Sequence, residues 1–186
     1  MDFSSRLEIS SEPDITLIQE FSSGRTDAFD RLYERYSSQV YNVCLSILGN
    51  PDDARDAMQD TFVQIYRSLP KFRGRSKFTT WLYRIIVNKC RDKLRSQPKW
   101  EAADSLEWIA NDDEPANDVL LEEQVRRAML KLKSDYRTVL VLYYFQQLTC
   151  DEIAETLNCS VDLVRVRLHR ARKVFRQIYG GDENEV

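Results

Sequence analysis

Apolar residues recur at three- and four-residue steps through one long segment: Phe29, Leu32, Tyr33, Tyr36, Val40, Val43 and Ile47. That spacing lines one face of an α-helix, and no segment alternates apolar and polar residues as a half-buried strand would. The chain is therefore expected to be all-α. Gly49-Asn50-Pro51 ends the long helix, and Pro51 suits the first turn of a following one, where Asp52 and Asp53 complement the helix dipole. A short helix over Asp14–Phe21 precedes the long one and stops at Ser22-Ser23-Gly24. The third helix carries Ala54, Ala57, Met58, Thr61, Phe62 and Ile65 and ends before Pro70. A fourth is expected from about Lys77 to Arg95, with Phe78, Leu82, Ile85, Ile86 and Lys89 on its inner face.

From Ser96 to about Asn117 the periodicity dissolves into acids, two prolines and scattered apolar residues (Trp100, Leu106, Trp108 and Ile109). Such a stretch reads as a linker. The expected organisation is a tail over 1–13, a helical domain over 14–96, an acidic linker over 97–117, a second helical domain over 118–180 and a tail over 181–186. The second domain opens with helices near 118–132 and 135–147. Thr149 and Glu152 then form a capping-box pattern in front of the two-turn helix DEIAETL. Asn158 stands where the chain must turn sharply, and Asn tolerates the left-handed conformation better than other non-glycine residues. Ser160 can cap the helix that follows. A short helix, a tight turn and a longer helix make a helix-turn-helix.

Charge is strongly segregated within a chain of net charge −3. Residues 1–60 hold five basic and twelve acidic side chains; residues 71–95 hold nine basic and one acidic. Residues 96–124 reverse this with one against nine, and residues 165–179 carry six basic side chains and no acid. Two basic blocks parted by an acidic one suggest two anion-binding surfaces on separate modules. In the last helix, Val164, Leu168, Ala171, Phe175 and Ile178 fall in one seam, whereas Arg165, Val166, His169, Arg170 and Lys173 point away from it. Cations on the outer face of the second helix of such a motif suit the DNA major groove. In the fourth helix Thr80, Arg84, Asn88, Arg91 and Arg95 form a stripe. The loop before it mixes Phe72 with Arg73, Arg75 and Lys77, a combination that can hold unstacked single-stranded bases. The third helix instead shows Asp56, Gln59 and Asp60, a face that repels DNA and complements a basic protein partner, or simply aids solubility.

Other functions find little support. His169 is the single histidine, Cys150, Cys159 and His169 lack zinc-ligand spacing, and no glycine-rich phosphate loop is present. No enzyme activity, metal or cofactor is therefore expected. The N-terminal MDFSSRLEISSEPD has neither the basic start nor the apolar core of a signal peptide, and no run of 18 apolar residues occurs. With Cys44, Cys90, Cys150 and Cys159 read as reduced thiols, the chain is expected to be cytoplasmic.

Three strings together, DARDAMQDTF, FRGRSKFTTWLYRIIVNKCRDKLR and DEIAETLNCSVDLVRVRLHRAR, resemble the extracytoplasmic-function (ECF) sigma factors of bacterial RNA polymerase. The resemblance covers about Asp14 to Tyr179. It implies that Asp56, Gln59 and Asp60 dock on the β′ clamp helices of core polymerase, with the β subunit as a further contact. It implies that Arg73, Arg75 and Lys77 line a pocket for a flipped base of the −10 element, with Thr80, Arg84, Asn88 and Arg91 facing DNA beside them. Arg165, Val166, His169 and Arg170, with Lys173, would read the duplex −35 element. An anti-sigma factor is implied as regulator. Arg55 and Arg75 stand where the family commonly has acids, Asn158 and Asp162 where it has Gly, Val166 where Ser is common, and Ser134 where Leu-Pro is frequent. The alternative function is a stand-alone helix-turn-helix regulator that binds duplex DNA without polymerase.

Overall fold

A computed structural model describes residues 13–96 and 117–180. The expected tails and the linker tryptophans lie outside the described residues. Among the described residues eight α-helices follow in order: α1 (Asp14–Ser22), α2 (Asp27–Leu48), α3 (Pro51–Ser68), α4 (Phe78–Ser96), α5 (Asn117–Leu130), α6 (Ser134–Leu140), α7 (Cys150–Leu157) and α8 (Val161–Tyr179). A 3₁₀ turn over Leu69–Lys71 follows α3, and a π-turn over Val141–Phe145 extends α6. No strand occurs among the described residues.

The joint between α2 and α3 shows how local chemistry fixes the N-terminal half. Gly49 closes α2 with φ +82°, donating its N–H to Leu45 O at 2.8 Å. That left-handed position favours glycine. A Cβ at Gly49 would also lie 2.4 Å from Leu130 Cδ2, so the tip of that side chain would have to shift to admit one. Asn50 then caps α3, its Oδ1 accepting from the N–H groups of Asp52 (2.8 Å) and Asp53 (3.1 Å), with Pro51 at the first helical position. At the other end of the bundle, Asp14 accepts from Arg35 Nη1 at 2.7 Å and from the Tyr36 hydroxyl at 2.6 Å, pinning α1 to α2.

The apolar cluster formed by α1–α4 runs without interruption into that of α5–α8. Leu32, Val40, Ile47, Leu82 and Ile86 are fully buried in the first half, and Leu142, Ile153, Val164 and Leu168 in the second. Each such aliphatic side chain contributes about 1.5–3 kcal/mol by leaving water. α2 packs on α3 and α4, α8 packs on α6 and α7, and α4 lies against α7 across the junction. The two expected modules therefore dock on one another instead of standing apart.

Polar groups fix the register of that docking. Arg137 is 9% exposed, and its guanidinium donates to the carbonyls of Ile47 (2.6 Å), Met129 (3.0 Å), Leu130 (2.5 Å) and Leu132 (3.1 Å). It thereby fills the orphan carbonyls at the C-terminal ends of α2 and α5 together. Burial lowers its pKa to about 10, so it stays cationic at neutral pH. Farther along, Gln39 Nε2 donates to Tyr83 Oη (2.6 Å) and to Gln146 Oε1 (3.0 Å), and Tyr83 Oη donates to Gln146 Oε1 (2.7 Å). Burial pushes the Tyr83 hydroxyl up to about 12, which keeps it a neutral donor.

Candidate nucleic-acid interface

The helix-turn-helix forms as its local signals require. Thr149 Oγ1 accepts from Glu152 N–H at 3.2 Å, and Glu152 Oε2 accepts from Thr149 N–H at 3.0 Å, completing the capping box of α7. Asn158 adopts φ 51°, ψ 54° at the turn. Ser160 Oγ accepts from Leu163 N–H at 3.2 Å and caps α8. Val164, Leu168 and Ala171 are buried, Phe175 and Ile178 half-buried. Arg165, Val166, His169, Arg170 and Lys173 are all exposed on the opposite side. Arg165 leans on Asp162 at 3.2 Å, and Arg167 at the border reaches Asp135 at 3.5 Å. The outer face of α8 is thus a cationic strip with one apolar residue, Val166, in its middle.

The second basic surface is a pocket of about 420 Å³ at the mouth of α4, lined by residues that include Phe72, Arg73, Arg75, Trp81 and Arg84. Phe72, Phe78 and Trp81 pack ring against ring, with centroids 5.2–6.0 Å apart, and hold the loop to the helix. Arg73, Arg75 and Lys77 are exposed around Gly74, which has φ +64°. Asn88 is exposed and Arg84 and Arg91 are half-buried, so these three share an accessible side. Thr80 does not join them. Its side chain is 1% exposed and turned into the core, which corrects its place in the stripe. The inner face of α4 is also rotated from the expected one. Tyr83, Val87 and Cys90 are buried, whereas Ile85 and Lys89 are half-buried, because α7 covers a second side of the helix.

On α3, Asp56, Gln59 and Asp60 are exposed together. Lys93 of α4 reaches across to Asp56 at 2.8 Å and Asp53 at 3.4 Å. The Lys93 ammonium holds the Asp56 carboxyl below the usual carboxylate range, and Asp56 in turn raises Lys93. Spacing within single helices could not show this pair, since its partners lie 37 positions apart. The same holds for the acids that face the α4 pocket. Lys77 Nζ bonds Glu152 Oε1 at 2.8 Å, and Arg84 Nη2 donates to the Glu155 carbonyl at 2.7 Å.

A model of Sigma-70 region 2 matches residues 32–99, and a model of Sigma-70, region 4 matches residues 122–174. The chain is 32% identical over 174 residues to the ECF RNA polymerase sigma factor SigW of Bacillus subtilis, covering 86% of this chain and 93% of that protein. It is 31% identical over 181 residues to the RNA polymerase sigma-H factor of Pseudomonas aeruginosa, covering 90% and 94%. Among solved structures, CnrH in complex with the cytosolic domain of CnrY superposes with a TM-score of 0.71 at 28% identity, over 92% of this chain and 100% of that one. The sigma factor RpoE, solved with the anti-sigma factor NepR from Bartonella quintana, shares the fold with a TM-score of 0.65 at 20% identity, over 83% and 98%.

Proposed function

Because this chain belongs to the ECF sigma factors of the sigma-70 superfamily, and is thus an RNA polymerase sigma factor, we propose the following division of labour among its surfaces. The first domain, 14–96, carries Asp56, Gln59 and Asp60 as the docking contacts for the β′ clamp helices of core polymerase. Its pocket at the mouth of α4 takes a flipped base of the −10 element, with Arg73, Arg75 and Lys77 around it and Arg84, Asn88 and Arg91 following the strand. The second domain, 118–180, reads the duplex −35 element through Arg165, Val166, His169, Arg170 and Lys173, and meets the β subunit. The protein contributes binding and positioning instead of a chemical step. An anti-sigma factor that covers the same surfaces is the expected regulator, in keeping with the sigma factor RpoE being solved with the anti-sigma factor NepR. No helix among the described residues is long and apolar enough to cross a membrane.

The observation that carries this reading is α8. It is the second helix of a helix-turn-helix, Val164, Leu168 and Ala171 of its seam are buried, and all five of its residues proposed to read the −35 element are exposed. Arginine in that setting can bond guanine bidentately, while the neighbouring cations set the helix against phosphates. Val166 offers no hydrogen bond, so it favours contact with a thymine methyl at its position. The test is in vitro transcription with purified core polymerase on candidate promoters, including that of the chain's own gene. Promoter-dependent initiation is expected. A protein that neither binds core polymerase nor initiates on any promoter contradicts the reading.

A further inference from the structure

The cations proposed for the −10 element are already occupied from within the chain. Glu152 divides its carboxylate between two tasks: Oε2 completes the capping box of α7, and Oε1 accepts from Lys77 Nζ at 2.8 Å. The cap aims this acid at α4, because the box fixes the rotamer that carries Oε1 toward the loop. One turn later on the same helix, Glu155 lines the α4 pocket itself and lies 3.7 Å from Arg84 Nη2, whose stronger bond goes to the Glu155 carbonyl. Lys77 is raised and Glu152 lowered by their mutual bond, as expected for a formed pair.

We propose that α7 is an internal occupant of the −10 site: in the free chain, Glu152 and Glu155 stand where nucleic acid would stand, and single-stranded DNA must displace them. This rests on the reading of the α4 pocket as the −10 site. The contact is suited to being displaced. Lys77 is 75% exposed at its side chain and Arg84 40%, so water screens both pairs and each weakens a competing ligand by no more than about fivefold. Occupation is also incomplete. Arg73 and Arg75 remain exposed, and the buried Nε of Arg84 finds no acceptor among the described residues. A phosphate or a base edge can use donors that the two glutamates leave unspent. The helix that supports the −35 reader thus also guards the −10 reader. A chain holding its domains docked binds the −10 element below full strength, and separation of the domains exposes that site.

The experiment compares the full chain with the double variant Glu152→Gln, Glu155→Gln. Gln at position 152 retains the capping box, so α7 keeps its N-terminal cap. Binding of a fluorescein-labelled single-stranded DNA oligonucleotide of mixed sequence is followed by anisotropy, at low and at high salt. The variant is expected to bind about five- to tenfold more tightly at low salt, with the gain shrinking at high salt. A charge-matched control, Asp151→Asn with Glu34→Gln, alters acids outside the pocket lining and is expected to gain less than about twofold. Equal gains in the two variants, or none in either, overturn the proposal. Arg84→Ala in the double-variant background separates the two levels of the argument. If it weakens binding while the glutamate changes did nothing, α7 is not the occupant although the site stands. If it has no effect, the −10 reading of the pocket fails and the proposal falls with it.

Discussion

Replacing Arg137 by Met removes the one side chain that joins the C-terminal ends of α2 and α5. Four carbonyls lose the guanidinium at once, those of Ile47, Met129, Leu130 and Leu132, and Met129 alone among them is seen to keep a second donor, the Leu132 N–H at 3.1 Å. A hydrogen bond from a charged donor contributes about 1.5–3 kcal/mol net, but the four do not add, because burying the guanidinium is itself costly. Met fills much of the same volume and carries no charge to desolvate. The remaining loss is that of four carbonyls at the junction of the two domains, which water can reach only in part. An overall destabilisation of about 3–5 kcal/mol follows, since a buried acceptor left unsatisfied costs about 1–3 kcal/mol and several are left together. Against a total stability of about 5–15 kcal/mol this is a large fraction. Urea unfolding followed by far-ultraviolet circular dichroism measures it. With an m-value of about 2 kcal/mol/M, the midpoint should fall by roughly 1.5–2.5 M. Arg137→Lys, which keeps the charge but cannot span four acceptors, should fall between the two. A midpoint shift below about 0.5 M for the Met variant would show that these bonds form equally well with water, and the account of the junction would be wrong.

Arg165→Ala and Arg170→Ala should each weaken binding of holoenzyme to an upstream promoter element by about tenfold or more while core-polymerase affinity is unchanged, as read by footprinting and by pull-down. Equal loss of both affinities contradicts the assignment of α8. The Lys93–Asp56 pair predicts a specific pH response. The carboxyl is depressed in the folded chain, so its contribution to stability is present above the unfolded Asp value and disappears as pH falls through the lowered one. Lys93 has the opposite sign: its contribution is complete below the unfolded Lys value and is lost as pH rises through the raised one. In Lys93→Met the Asp56 titration, followed by carboxyl-carbon NMR, should move upward; an unmoved titration means the pair does not form in solution. Cys44 and Cys90 are fully buried and adjacent, and the Cys44 contact and burial push the Cys90 thiol up. An alkylating reagent should therefore modify only the half-buried Cys150 and Cys159 in the native chain and all four thiols after unfolding. Modification of Cys90 at the rate of Cys150 would argue against the packing of α2 on α4.

What the sequence made legible was local chemistry. The capping box at Thr149 and Glu152, the left-handed Asn158, the Ser160 cap and the seam of α8 each depend on residues within a few positions of one another. Every one of them formed. The face of α4 failed for a complementary reason. A helical wheel assumes one buried side, but α4 is covered by α2 and α3 on one flank and by α7 on another. Tyr83, Val87 and Cys90 went inside with Thr80, and no spacing rule within residues 78–96 contains the position of α7. The π-turn after α6 escaped for a similar reason. Its sequence, VLYYF, suits a continuing helix, and nothing in its local spacing marks the wider turn that Val141 and Leu142 adopt while both are buried. Lys93, Glu152 and Glu155 were visible as charges but not as partners, since ion pairs between helices depend on topology. The basic blocks were therefore correctly located in the chain while their occupants went unrecognised.

The joint at Gly49-Asn50-Pro51 has a consequence for how this chain can vary. Each of its three residues is committed: one to a left-handed turn under Leu130, one to the cap, one to the first helical position. There is no spare residue to absorb a change in length. One residue added inside α3 before Asp56 turns everything beyond it by about 100°, moving Asp56, Gln59 and Asp60 round the helix and away from Lys93. Substitutions on that acidic face alter a contact; a single-residue insertion or deletion re-aims the whole surface. Among variants of this chain, length in the segment from Gly49 to Asp60 should be held more strictly than the identity of any one acid within it.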